Sequence, residues 1–161
     1  MGLWDKVKGW LNIGGVKVLL WKYSEPLRRS DPVITGAVLL KTKSPRTVLS
    51  VEVRLVEEHT YKKDELTKTD TTVLGTVRFP DGDSGIGYPL EMKPGEDCEQ
   101  PFTLRVAMVD RLRNRSGVLG TAAKVGAFLS QDRVEHYLIA EADVQGTPLD
   151  PTHKVKMPIS D

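Results

Sequence analysis

Hydrophobic and polar positions alternate with a period of two along most of this chain. Over residues 47–57 the apolar side chains of Leu49, Val51, Val53 and Leu55 are separated by polar or charged ones. This alternation predicts a strand that is buried on one face. The same pattern recurs over residues 73–79, 102–106, 138–144 and 155–159.

Two further stretches, residues 15–21 and 33–40, are more continuously apolar. Such runs are typical of inner strands covered on both faces. Seven or more strands with Pro, Gly and Asp between them predict an all-β, antiparallel, immunoglobulin-like sandwich. Residues 64–72 are polar and carry Thr67, Thr69, Thr71 and Thr72, which predicts an exposed hairpin tip or a long loop.

Two segments depart from the strand pattern and predict helices. Ser116 is a suitable cap for a short inserted helix over about residues 116–130, where small and apolar residues recur at helical spacing. An amphipathic helix is predicted over residues 1–12, ahead of a sandwich domain over residues 13–161. Its apolar stripe consists of Leu3, Trp4, Val7, Trp10 and Leu11.

Composition narrows the class of protein. A chain of 161 residues fits one domain, and 23 basic against 22 acidic residues create no overall field that would attract nucleic acid. The single cysteine, Cys98, excludes an intramolecular disulfide and favours a reducing, cytoplasmic location. No apolar run approaches the ~20 residues that span a bilayer.

Candidate chemistry is sparse. Residues 81–85 resemble the start of a calcium loop, but Gly and Glu are missing from the sixth and twelfth positions. His59, His136 and His153 lack the close spacing of metal ligands, and Cys98 has no local base. No nucleophile elbow, phosphate-binding loop or dinucleotide fingerprint is present. The sequence therefore predicts a non-enzymatic protein without a cofactor or metal.

Basic residues cluster at two places. Arg111, Arg113 and Arg115 precede the predicted inserted helix, and a second cluster over residues 41–46 lies at a predicted hairpin turn. Each cluster could bind phosphate or anionic lipid headgroups, but a solvated loop is the more common role of such a cluster. Neither is interleaved with the aromatic residues of a single-strand nucleic-acid platform, so no nucleic-acid partner is predicted.

Several short motifs follow one another along the chain in a set order. They are Ile13-Gly14-Gly15-Val16-Lys17-Val18, Asp31-Pro32-Val33-Ile34-Thr35-Gly36, the strand near residues 51–58, Lys93-Pro94-Gly95-Glu96 with Pro101-Phe102, residues 136–144, and Leu149-Asp150-Pro151. Taken in this order, they resemble the bacterial sporulation-control proteins of the arrestin-like superfamily. The resemblance implies a single arrestin-like sandwich of the N-terminal type, where the arrestin fold pairs two. It also implies a role in stress or developmental control, such as sporulation.

Two main functional hypotheses follow, and a small enzyme or ligand binder that uses Cys98 and a histidine is a weaker third. The first is a regulatory adaptor that acts through protein–protein contacts, with an unidentified protein or a second copy of the chain as partner. Exposed strand edges or the N-terminal stripe would make these contacts. The alternative is a peripheral protein at the inner face of the membrane, which would use Trp4, Trp10 and a basic loop. A short helix of this kind is marginal alone, so we expect it to dock on protein or lipid.

Overall fold

The part of the chain that the structure describes contains ten strands. The computed structural model describes residues 15–81, 85–107 and 132–161, so the predicted helices over residues 1–12 and 116–130 lie outside it. The all-β prediction is confirmed for the described residues. The strands are β1 (Val16–Trp21), β2 (Leu27–Arg28), β3 (Val33–Thr42), β4 (Arg46–Lys63), β5 (Leu66–Phe79), β6 (Leu90–Met92), β7 (Asp97–Arg105), β8 (Arg133–Val144), β9 (Thr152–Lys156) and β10 (Ile159–Ser160).

The strands form two main antiparallel sheets. One has the order β1-β3-β7, and the other has the order β5-β4-β8-β9, with β6 paired to β4. β10 and β2 form a small parallel pair. Because hydrophobic side chains from both main sheets join one buried cluster, the predicted antiparallel sandwich is confirmed.

The core lies between these sheets. The alternation in residues 102–106 and 138–144 correctly predicts the inward positions, because side chains two apart on a strand share one face. The buried side chains of these two segments are Phe102, Leu104, Val106, Leu138, Ala140, Ala142 and Val144. Continuous burial is also confirmed for β1, whereas β3 leaves Thr35 exposed.

Two irregularities change the predicted inward faces. The register of β4 against β8 shifts on either side of Leu49, which is 36% exposed, while its neighbour Val48 is fully buried. The register of β4 against β5 also shifts, and Leu74 is the extra residue. Leu74 is therefore buried in place of Val73, which is 54% exposed. A β-bulge reverses the side-chain alternation, so the predictions for Leu49 and Val73 were wrong.

A tight turn connects the two sheets between β6 and β7. Pro94 and Gly95 occupy its centre, Gly95 has a φ of 82°, and the N–H of Glu96 donates to the carbonyl of Lys93 over 3.1 Å. This is the geometry of a type II turn, in which Pro presets the first central residue and Gly accepts the positive φ of the second. The Glu96 carboxylate also accepts from the N–H of Lys93 at 2.9 Å.

The basic segment over residues 41–46 is a second crossing between the sheets. β3 pairs with β1 and β7, whereas β4 pairs with β5, β6 and β8. The predicted hairpin turn at this position was therefore wrong, because the two strands that it joins belong to different sheets. The Thr42 hydroxyl donates to the Gly15 and Ser44 carbonyls at 3.2 and 2.5 Å, which holds the crossing against the start of β1.

Edge strands of the two sheets meet at both sides of the sandwich. On one side the N–H of Leu20 in β1 donates to Nδ1 of the buried His153 in β9 over 2.9 Å. On the other side the N–H of Ala107 donates to the carbonyl of Leu74 over 3.0 Å. Gly75 lies close to β7 there, since a Cβ on it would stand 2.5 Å from the Arg105 carbonyl oxygen.

Candidate functional site

The β4–β5 hairpin extends beyond the sandwich core and ends in a two-residue turn. Asp64 and Glu65 form this turn, with φ values of 53° and 66°. The remainder of the segment that was predicted as a tip or loop, residues 66–72, is strand. That prediction was correct in placing a hairpin tip here and wrong in its extent, because threonine is polar but β-branched and suits an exposed strand.

The turn determines which backbone groups of β5 point away from β4. In a two-residue hairpin the closing pair, here Lys63 and Leu66, exchanges backbone hydrogen bonds, and such pairs alternate along the strands. No register shift occurs between the turn and Thr71. The N–H and C=O groups of Thr67, Thr69 and Thr71 are therefore directed outward, and we call this row of groups the β5 outer edge.

The two faces of the hairpin carry different chemistry. One face carries threonine hydroxyls, with those of Thr60 and Thr69 3.1 Å apart. The other face carries Tyr61 opposite Lys68, with Asp70 next along β5. A hydrogen bond with Asp70 is the largest cause that raises the pKa of Tyr61, followed by desolvation. Over residues 67–71, β5 therefore carries opposite charges on one face and neutral threonines on the other.

Within the described residues, no strand pairs with the β5 outer edge. β5 ends the five-stranded sheet, and β7 approaches it only from Leu74 onward. Residues 66–71 are all exposed, and Leu66 retains 64% of its surface accessible. An exposed strand edge is a template that another extended chain can join through backbone hydrogen bonds.

Paired side chains hold the base of the hairpin against β8. Glu57 and His136 lie opposite each other, 3.3 Å apart, with 3% and 10% of their side chains exposed. Two residues further along β4, His59 Nε2 lies 3.2 Å from Asp132 Oδ2. The His59 ring also packs against Tyr61, with 5.1 Å between the ring centroids. These contacts fix the direction in which the hairpin projects.

A cavity of about 370 Å³ lies beside the hairpin base, next to His136. Its charged lining residues have ion-pair partners, since Lys156 Nζ donates over 3.1 Å to Glu135, which also lines the cavity, and Arg29 donates over 3.0 Å to Asp161, which does not. Surface pairs of this kind contribute little to stability and leave no converging set of polar groups for a small molecule.

Neither the histidines nor the cysteine forms a reactive centre in the described residues. His59, His136 and His153 have separate partners, and no three His, Cys, Asp or Glu side chains in this part of the chain converge as metal ligands would. Burial, followed by the charge of Glu96, raises the pKa of the half-buried Cys98. A raised pKa leaves the thiol protonated at neutral pH and disfavours a nucleophilic role.

The contact residues predicted from the sequence lie outside the described residues. They are Leu3, Trp4, Val7, Trp10 and Leu11 of the N-terminal stripe and Arg111, Arg113 and Arg115 of the basic cluster. Residues 82–84 of the calcium-like loop also lie outside. Among the residues described, no helix is long and apolar enough to cross a bilayer.

Sequence reasoning proposed that strand edges make contacts but did not locate the β5 outer edge. The signal was present in the threonines at positions 67, 69 and 71, whose spacing of two is that of one strand face. Polarity alone had indicated a loop. Polarity reports exposure to solvent, and an edge strand that extends beyond a core is exposed on both faces.

Comparison with known proteins supports the fold and leaves the family open. No family model and no curated protein matches the sequence. Among solved structures, the sporulation control protein Spo0M from Bacillus subtilis matches with 17% identity and a TM-score of 0.58. The match covers 91% of this chain and 49% of that one, so the chain spans about half the length of Spo0M. Membership of the sporulation-control family stays a prediction, and the similarity supports a β-sandwich with a fold related to that of Spo0M.

Proposed function

We propose that this protein is a non-enzymatic, regulatory interaction module whose protein partner adds a strand to the β5 outer edge. The observation that carries the proposal is the row of outward backbone groups at Thr67, Thr69 and Thr71, on a strand that no described strand covers. Backbone hydrogen bonds would supply the affinity, and the side chains of Lys68 and Asp70 would supply the specificity.

The surroundings of the hairpin support a binding role over a catalytic one. The projecting strands are anchored by the buried Glu57–His136 pair, so the edge is presented on a rigid support. The one cysteine has a raised pKa. A control role of the sporulation type is taken by analogy from the printed description of Spo0M, of which this chain spans about half.

Selection of displayed peptides tests the edge directly. A library of extended random peptides is selected on the wild-type protein, and each recovered peptide is assayed against Thr69→Pro and Thr69→Val. Pro at this position removes only an outward N–H, so the β4 ladder is retained, while Val keeps the N–H and alters only the side chain. We expect Pro to weaken binding about tenfold or more and Val to leave it nearly unchanged. Peptides that bind all three proteins equally would contradict the proposal.

The membrane alternative rests on the N-terminal stripe, in particular Trp4 and Trp10. If it is correct, the full chain co-sediments with anionic vesicles, and removal of residues 1–11 abolishes co-sedimentation. Unchanged sedimentation after the truncation, or none with the full chain, removes this alternative. Neither result affects the peptide experiment, which tests different residues.

A further inference from the structure

We infer that the strand which joins the β5 outer edge is β5 of a second copy of this chain, antiparallel and centred on Thr69. The inference rests on the proposed function and names its partner. A two-fold axis at Thr69 would place Thr67 opposite Thr71 of the second copy and Lys68 opposite Asp70. The two five-stranded sheets would then continue into each other across the axis.

Charge complementarity selects this register. The sequence Thr67-Lys68-Thr69-Asp70-Thr71 has threonine at its centre and at both ends, and its two charges are opposite and equally distant from Thr69. Antiparallel self-pairing about Thr69 therefore opposes Lys68 with Asp70 at both symmetry-related positions. A shift of the axis to Lys68 or Asp70 would oppose like charges, which destabilises cross-strand pairs. Among these three axes, only the one at Thr69 satisfies both charges.

The backbone geometry agrees with the same axis independently of charge. Thr67, Thr69 and Thr71 direct their N–H and C=O groups outward, so in this register each meets an outward-directed threonine of the second copy. Such pairs exchange two hydrogen bonds each. Lys68 and Asp70 then form the alternate, non-hydrogen-bonded pairs, where Cα atoms approach to ~4.5 Å and side chains are closest.

The interface is small, so the dimer should be weak and dependent on concentration. Seven or fewer residues of each strand take part, well under the 20 to 30 per side of a standard interface. We expect wild-type protein to shift from monomer towards dimer between about 10 µM and about 1 mM in sedimentation equilibrium. Because the charged pairs are exposed, high salt should weaken the association.

Charge reversal with mixing provides the decisive experiment. Lys68→Asp or Asp70→Lys alone turns both attractive pairs of the homodimer into repulsive ones, and each should weaken self-association about tenfold or more. When the two single variants are mixed, every opposed pair is again of unlike charge, so a heterodimer should form. The double variant Lys68→Asp/Asp70→Lys should dimerise like the wild type.

Controls separate this register from general charge effects. Lys62→Asp changes the net charge equally on the opposite face of the same hairpin and should leave the dimer unchanged. Thr69→Pro should abolish the dimer, and its fold is verified by circular dichroism. The charge variants, which alter exposed side chains only, keep the test valid if Thr69→Pro fails to fold.

The outcomes distinguish the inference from the proposed function. A heterodimer of the two single variants, with neither alone associating, supports pairing about Thr69. A wild type that stays monomeric to about 1 mM, or single reversals that leave the dimer unchanged, overturns it. If the wild type is monomeric while selected peptides still require the N–H of Thr69, the inference fails and the proposed function stands. If the selected peptides also bind without the N–H of Thr69, the inference and the proposed function both fail.

Discussion

Replacement of Gly75 by alanine should open the contact between β5 and β7. The Cβ of an alanine would stand 2.5 Å from the Arg105 carbonyl oxygen and 3.4 Å from Cδ1 of Leu104. The first of these is a backbone atom of a paired strand, so it cannot rotate away as a side chain would. Gly75 does not have a positive φ, so alanine meets no backbone strain and the effect is purely steric.

The expected cost follows from that distance. An acceptable contact needs about 3.2 Å, so the strands must separate by about 0.7 Å, and overpacking of this kind costs about 1–3 kcal/mol. Alanine recovers about 0.5–1 kcal/mol from the unfavourable entropy of glycine in a strand. From the middle of these two ranges, the net loss in the free energy of unfolding should be about 1 kcal/mol. For a chain of this length that corresponds to a fall in Tm of about 2–4 °C.

Urea denaturation followed by circular dichroism measures this loss, with Gly87→Ala as the matched control. A Cβ on Gly87 has no atom within 4 Å, and its φ is not positive, so the control should lie within about 0.5 kcal/mol of the wild type. If Gly75→Ala is as stable as the wild type or more stable, β5 and β7 do not approach each other as described, and the steric reasoning is refuted.

Two further predictions concern buried hydrogen bonds. Burial lowers the pKa of His153 from its unfolded value of 6.5, so this histidine stabilises the fold above that pH, and stability should fall as the pH drops below 6.5. His153→Ala should lower the free energy of unfolding by about 1–3 kcal/mol at pH 8, because it leaves the N–H of Leu20 without its acceptor. Between pH 8 and pH 5, the urea midpoint of this variant should fall less steeply than that of the wild type. Tyr88→Phe removes a donor to the buried Gln100 at 2.9 Å and should cost about 1 kcal/mol by thermal denaturation, whereas Tyr137→Phe, on a half-exposed pair, should cost less. Equal losses in the two tyrosine variants would contradict the assignment of burial.

Local alternation predicts the fold wherever a strand is regular and one face meets the core. Residues 138–144 illustrate this, because Leu138, Ala140, Ala142 and Val144 are buried while the residues between them, including Ile139, are only partly buried. Alternation fails at Leu49 and Val73, where a single extra residue reverses the phase without any change in composition. A bulge depends on how two strands twist together, and the pattern of one strand does not contain that information.

The pairing of strands is less accessible to sequence reasoning than their existence. β3 and β4 are joined by a short turn typical of a hairpin, yet β4 pairs with β8, which follows some 80 residues later. β4 pairs with β8 because this arrangement buries the hydrophobic faces of both sheets together. Sequence reasoning did not select the hairpin tip as a candidate site for a similar reason, because the role proposed for Thr69 rests on its backbone and not on its side-chain chemistry.

The length of β4 has a consequence for local opening of the native state. β4 has 18 residues, of which Val51, Val53 and Leu55 lie in the core, whereas Lys62 and Lys63 at its far end are exposed. Amide protons along one continuous strand should therefore exchange on two timescales, slowly within the core and rapidly near the turn. Any strand that docks on the hairpin would slow the rapid class first. Hydrogen exchange at the tip would thus show whether a strand is bound to the hairpin, even where the free energy of global unfolding hardly changes.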